Sequence, residues 1–344
     1  MGIIRKFSVS AGILVLFLVF LYNEAPLSVL DGTFGTEDRK TDEPSVPVPV
    51  MKQGLAQWIG KSGAQVENTF GKPSRIDPSA YGYDWWVYDQ YERGYLQIGV
   101  ADSKVVTVFA LGKNLDIAPL HIGEARNQAI SSFSMQSTVT IRYDGGSYRF
   151  RLKKSDLEAR PLVKVGNDYA ILYFDTFTDR LQGIRYMNAE TTIRLQPYSV
   201  TYRGHIRKPK IESRKQWRPI EEGEERQIAA VSNRLRQRYG LSTLKWHDGA
   251  ARAAYLHSKD MAVNDYFAHV SPTEGDLGDR LHEAGVRYVL AGENIAAGYV
   301  DGLAAVYGWL NSEGHRENLF RHSFTAIGVG VYEKYYTQDF VTPF

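Results

Sequence analysis

The sequence predicts an α+β chain with antiparallel strands, on three observations. Short runs of β-branched and aromatic residues fill the middle of the chain, and two of them, 139–143 and 148–152, flank Gly145-Gly146, a hairpin signal. Beyond residue 220 the apolar spacing becomes that of a helix, with Ile228, Val231 and Leu235 following Glu221, Glu222, Glu224 and Glu225. Two further runs, 326–333 and 336–341, then close the chain as strands. A length of 344 residues accommodates about two domains. A 43% hydrophobic and 23% charged composition excludes a wholly disordered chain. The near-balanced net charge of +2 excludes the basic footprint of a dedicated nucleic-acid binder, so no nucleic-acid partner is expected. Cysteine is absent, which removes disulfides, zinc–thiolate sites and thiol catalysis together. Any metal must be held by His, Asp, Glu or water.

The first 22 residues read as an address. Arg5 and Lys6 precede the uncharged run 7–22, the layout of a signal anchor or of a signal peptide that is cleaved. Asn23-Glu24-Ala25-Pro26 offers no small-x-small cleavage site, so retention as a membrane anchor is expected. Positive residues ahead of the run place everything after Tyr22 outside the cytoplasm. Residues 23–54 include Pro44-Ser45-Val46-Pro47-Val48-Pro49, which favours extended polyproline II and reads as a stalk.

Residues 55–200 read as a duplicated α+β domain. Ile59-Gly60 opens a helix-like stretch before Phe70, and Ile122-Gly123 does the same before Phe133, at an offset of 63 residues. Strand-like runs follow in each half: 84–88, 96–100 and 105–109 in the first, and 139–143, 148–152, 170–174 and 183–187 in the second. Gly60-Lys61-Ser62 is not a phosphate loop, because Leu55 stands where that motif needs its first Gly and no strand leads in. No cluster of His and carboxylates occurs here, so a binding or spacing role is expected. Residues 201–220 read as a basic linker, with seven Lys or Arg against Glu212, while residues 221–344 carry a net charge of −5.

In the C-terminal domain, acids at the front and Arg234, Arg236 and Arg238 at the back complement the dipole of a first helix that stops at Gly240. A second helix follows Asp248. Its alanines 250, 251, 253 and 254 permit close approach of a neighbouring layer, and His257 on it reads as a packed residue. Segments 276–284 and 301–310 read as two shorter helices. Three stretches carry chemistry and are expected at helix ends or in loops: Phe267-Ala268-His269-Val270-Ser271, Gly292-Glu293-Asn294-Ile295, and 309–318 with Ser312, Glu313 and His315. His282-Glu283 lacks the second His of a zincin helix. Ser271 and Ser312 lie near the histidines, yet no Gly-x-Ser-x-Gly turn accompanies them, so serine hydrolysis is disfavoured.

These motifs, in this order, resemble the CAP superfamily of SCP-like extracellular domains in its cysteine-free bacterial form. The resemblance covers residues 226–344 and rests on Asn233-Arg234, Leu244 and Trp246, Phe-x-His-x-Ser at His269, Gly-Glu-Asn-Ile at Glu293, Trp309 with Gly-His-Arg at His315, Ile327-Gly-Val-Gly330 and Tyr336-Thr337-Gln338. Residues 55–200 are similar to the CAP-associated N-terminal domain of anchored bacterial proteins, on Gly71-Lys72-Pro73, Tyr81-Gly82-Tyr83 and Trp85-Trp86-Val87-Tyr88. The resemblance implies a C-terminal α-β-α sandwich whose open cleft holds two His and two acids. Carried over, the histidines are His269 and His315, able to bind zinc or another divalent cation weakly, and the first acid is Glu293. Eukaryotic members place a Glu three residues after the helix Trp; this chain has Ser312 there and Glu313 one position later. The expected function is a membrane-anchored cell-envelope binding module that docks a lipid, a peptide or a wall-derived ligand. Two alternatives stand beside it: a metal-assisted hydrolase using His269, Glu293 and His315, and a protein-interaction scaffold.

Overall fold

The strands at 95–101, 104–111, 168–175 and 180–187 are buried along nearly their whole length, whereas the strand at 146–151 alternates buried with more exposed side chains. The structure, a computed structural model, describes residues 54–89 and 94–344. The apolar run 7–22 and nearly all of the stalk lie outside the described residues. Among the described residues no helix is long and apolar enough to cross a membrane.

A 3₁₀ turn and α1 (Gly63–Phe70) open the first domain. Ser62 forms a capping box with Gln65, so the Gly-Lys-Ser stretch is a helix start. Strands β1 (Arg75–Pro78), β2 (Asp84–Tyr88), β3 (Tyr95–Ala101) and β4 (Lys104–Leu111) follow as a meander. The second half runs α2 (Arg126–Ile130), β5 (Thr138–Tyr143), β6 (Gly146–Arg151), α3 (Lys154–Ala159), β7 (Leu162–Val165), β8 (Asp168–Asp175), β9 (Arg180–Met187), α4 (Ala189–Leu195) and β10 (Ser199–Arg203). The large sheet has the order β1-β2-β3-β4-β9-β8-β7, with the hairpins of the two halves meeting at β4 and β9. β5 and β6 leave that sheet and pair with β10 in a separate one, ordered β10-β6-β5.

The second domain comprises α5 (Arg214–Arg238), β11 (Lys245–Trp246), α6 (Asp248–Val263), α7 (Leu277–Glu283), β12 (Tyr288–Ala297), α8 (Gly302–Leu310), α9 (Glu313–Phe320), β13 (Ala326–Tyr332) and β14 (Tyr335–Pro343). Its sheet has the order β11-β13-β14-β12, leaving β12 at an edge. On β13, Ala326 packs with Ala250 and Ala253 of α6, whereas Ile327, Val329 and Val331 join the apolar residues of α5 and α8. Helices therefore cover both faces, and the layering is the expected α-β-α sandwich.

Two expectations are corrected. Residues 201–220 are not simply a linker, since β10 extends to Arg203 and α5 begins at Arg214. A capping box of Ser213 with Gln216 starts that helix early. Consequently the acids from Glu221 onward lie inside the helix and do not complement its N-terminal dipole. Glu221 and Glu225 instead take Arg214 at 2.5 Å and Arg218 at 3.0 Å, and accept the backbone N–H groups of Glu333 at 2.8 Å and Val331 at 3.2 Å. The helix is thereby tied to the turn between β13 and β14. The second correction concerns Gly-Glu-Asn-Ile, which lies in β12 and not in a loop.

The described residues, 54–89 and 94–344, belong to one compact unit. A single apolar core runs from Tyr83, Phe109 and Tyr173 of the first domain to Leu303, Tyr307 and Leu310 of the second.

Candidate functional site

Asp260, near the C-terminal end of α6, accepts hydrogen bonds from Ser271 Oγ at 2.7 Å, from Asn264 Nδ2 at 2.6 Å and from the Tyr266 hydroxyl. Ser271 Oγ in turn accepts the N–H groups of Thr273 at 3.1 Å and Glu274 at 2.8 Å. This knot fixes loop 267–271 and explains the Ser of Phe-x-His-x-Ser: it holds the backbone on which His269 stands, and is not a nucleophile. Arg280 of α7 donates to His269 O at 2.9 Å and Gly275 O at 3.0 Å, which locks the same loop from the other side.

Glu293 is delivered by β12 and is almost wholly buried. Its Oε1 meets His269 Nδ1 at 2.8 Å and its Oε2 accepts from Arg280 Nη2 at 2.5 Å. His257 Nε2 lies 3.9 Å from Oε2 and 3.0 Å from Ala268 O, so the expected packed role holds, in direct view of the carboxylate. Burial pushes the Glu293 carboxyl up, but the His269 hydrogen bond and the charge of Arg280 outweigh it and hold it below the usual carboxylate range. Burial also keeps His257 below the usual histidine range.

His315 comes from α9, on the other side of the sheet from α6. Asn294 Nδ2 donates to His315 O at 3.0 Å, while Asn318 Nδ2 donates to Glu293 O at 3.0 Å and Asn294 Oδ1 at 3.1 Å. Gly292 allows close approach at this crossing, because a Cβ there would come within 2.8 Å of the side chains of Asn318 and Phe324, which would have to shift. The His269 and His315 rings lie 6.5 Å apart at their centroids, inclined by 40°, and the His269 side chain is 36% exposed. Ser312 Oγ is 2.8 Å from His315 Nδ1. Burial and the nearby His269 push the His315 imidazole down to about 4, so it is neutral near pH 7. A hydroxyl at position 312 suits a neutral ring, where a carboxylate would favour the imidazolium. Glu313 is exposed at the start of α9 and makes no side-chain hydrogen bond or ion pair among the described residues.

The acid that joins Glu293 is Asp339. It stands opposite Glu293 in the β12–β14 register and is fully buried, and neither carboxyl oxygen meets a donor among the described residues. Burial and the Glu293 charge raise Asp339 well above the usual range. Only strand register reveals that Asp339, next to Gln338, faces Glu293. Arg280 and Asp260 were likewise hidden, each placed by tertiary contact.

The description "CAP-associated N-terminal" matches residues 59–198, and "Cysteine-rich secretory protein family" matches residues 230–344. The chain is 47% identical over 288 residues to the protein named "Uncharacterized membrane protein YlbC" of Bacillus subtilis (strain 168), covering 84% of this chain and 83% of that protein. The chain belongs to this CAP family. The protein named "Uncharacterized protein YkwD" of the same organism is 40% identical over 119 residues, 34% of this chain and 46% of that protein. A crystal structure of an extracellular protein containing a SCP domain, from Bacillus anthracis str. Ames, superposes with a TM-score of 0.81 at 41% identity, covering 90% of this chain and 100% of that one. A cysteine-rich secretory protein from Staphylococcus aureus subsp. aureus Mu50 shares the fold, with a TM-score of 0.73 at 24% identity over 84% of this chain and 95% of its own.

The imidazoles of His269 and His315 would offer zinc or a similar cation two donors. Glu293 is already taken by Arg280 and His269, and among the described residues no group of three or more His, Asp or Glu is placed to hold a metal. The donor set does not fit a firmly held ion.

Proposed function

We propose that the CAP cleft at His269 and His315 docks an extracytoplasmic envelope ligand that has both a polar group and an apolar part. One observation carries this reading. The two rings lie 6.5 Å apart with the His269 side chain 36% exposed, while the adjacent carboxylate is buried, ion-paired and depressed. A general base works best with a pKa near the operating pH, and Glu293 is held in the opposite direction. The geometry therefore favours recognition over hydrolysis. Exposed Phe267 and Val270, on either side of His269, add an apolar rim suited to an acyl chain or an apolar peptide side chain. Placement outside the membrane is supported by the related extracellular SCP-domain structure, and anchoring through residues 7–22 by the relative named as a membrane protein. A divalent cation bridging His269 and His315 would be a weak, exchangeable addition to the site.

To test this, the full chain is incubated with envelope lipid extract and with wall fragments, and bound species are identified by mass spectrometry. Capture should fall at least about tenfold for His269→Ala combined with His315→Ala. Equal capture by that variant moves the ligand elsewhere and overturns the reading. Appearance of cleaved products that Glu293→Gln abolishes would favour the hydrolase. Calorimetric titration with zinc should show weak binding that both His→Ala variants remove.

A further inference from the structure

The small sheet β10-β6-β5 has one face in the core, with Ile141, Tyr148 and Phe150 buried. Its other face follows from the register. Thr138, Arg151 and Ser199 form one cross-strand row, Thr140, Arg149 and Thr201 a second, and Arg142, Ser147 and Arg203 a third. All nine residues are exposed or half-exposed. The face therefore consists of four arginines and five hydroxyl residues, with no carboxylate and no aromatic ring. None of the four guanidinium groups has an ion-pair or hydrogen-bond partner among the described residues. Asp144, at the hairpin turn, is drawn to Arg207 at 3.6 Å, and Glu190 bonds Tyr143 and Arg194. With strands about 4.8 Å apart and alternate residues about 6.7 Å apart, the rows spread four positive groups over roughly 10 by 14 Å.

We infer that this sheet face is a second binding surface, separate from the CAP cleft, for an extended polymer carrying repeated phosphodiesters and no bases. Guanidinium forks and small hydroxyls are the groups that meet phosphate oxygens. Four like charges left uncompensated side by side repel one another until an anion bridges them. Firm seating on a membrane adds aromatic or apolar side chains to the basic ones, and a single-stranded nucleic acid calls for rings on which bases stack. This face has neither. The Tyr202 ring lies on the opposite side, stacked on Tyr148 at 5.9 Å.

The probe is a glycerol-phosphate oligomer titrated onto the full chain by fluorescence anisotropy at several salt concentrations. Single-stranded DNA of equal charge and phosphatidylglycerol vesicles run in parallel. Arg149→Gln with Arg151→Gln should weaken oligomer binding about tenfold or more and flatten the log–log salt slope by about 1.4, roughly 0.7 for each lost contact. Arg142→Gln with Arg203→Gln should do the same from the flanking strands. Lys72→Gln with Lys245→Gln removes the same charge elsewhere and should change little; circular dichroism confirms folding of each variant. Oligomer binding that ignores both arginine pairs, or that the lysine pair weakens equally, overturns the assignment. So does DNA binding of equal strength, or vesicle binding that the arginine pairs abolish while oligomer binding is absent.

Discussion

Asp339 is the residue whose chemistry departs furthest from its identity. A buried acid raised above its ordinary pKa binds its proton more tightly folded than unfolded. Its stabilising effect is complete below the unfolded value and disappears as pH rises toward the folded one. Asn keeps the shape and a donor for Glu293 but cannot ionise. Asp339→Asn should therefore gain on the parent protein in urea unfolding as pH rises above about 4, with a gap wider at pH 8 than at pH 5. A gap that shrinks would show that Asp339 is ionised and paired. Of the cleft, His269, Glu293 and His315 were legible because each sits in a short distinctive motif. Asp339 and Arg280 were not, since a carboxylate in a strand and an arginine in a helix read as ordinary surface residues until neighbours enclose them. The second acid was sought at Ser312 and Glu313, next to His315 in sequence, whereas pairing with Glu293 is decided across strands.

At the level of elements, α6 lies directly on β13. A Cβ at Gly328 would overlap the backbone of Ala251, and one at Gly330 the backbone of Tyr255. The alanines of α6 signalled this closeness in the sequence, and the glycines of Ile-Gly-Val-Gly complete it. Gly330→Ala must separate helix from sheet and should destabilise the protein by about 3 kcal/mol or more in denaturant unfolding. Gly314→Ala, in α9 with nothing within 4 Å of the new Cβ, should be neutral or stabilise by about 0.5–1 kcal/mol. Equal effects at both positions would contradict the packing described. Helix starts were less legible than helix faces. Ser213 caps α5 well before Glu221, and acids that looked like an N-terminal turn serve as acceptors for β13 and its turn.

Across the whole molecule the two domains are joined by charge as well as by the shared core. Arg185 of β9 meets Asp301, the N-cap of α8, at 2.5 Å, with both side chains buried and Tyr83 on the same guanidinium at 2.6 Å. Arg316 of α9 pairs with Asp175 of β8 at 3.0 Å, and Tyr173 stacks on Tyr307 at 4.2 Å. Because α9 also carries His315, the first domain holds the helix that forms one wall of the cleft. Asp301→Ala leaves Arg185 buried without its partner and uncaps α8, so it should cost about 3–5 kcal/mol. Calorimetry of the parent protein should show one unfolding transition for the two domains together. Two transitions, with Asp301→Ala affecting only one, would mean that the domains are independent.

The sequence by itself determined the α+β class, the strand-rich first domain, four of the C-terminal helices with the two closing strands, and three of the cleft residues. Each of these depends on local periodicity or on side chains close together in the chain. The tertiary structure alone decided that Glu293 is committed to Arg280, that Asp339 stands behind it, that four arginines share one bare sheet face, and that the two domains unite in one core. Those facts are fixed by register and packing between segments tens to hundreds of residues apart, and no short stretch of sequence carries that information.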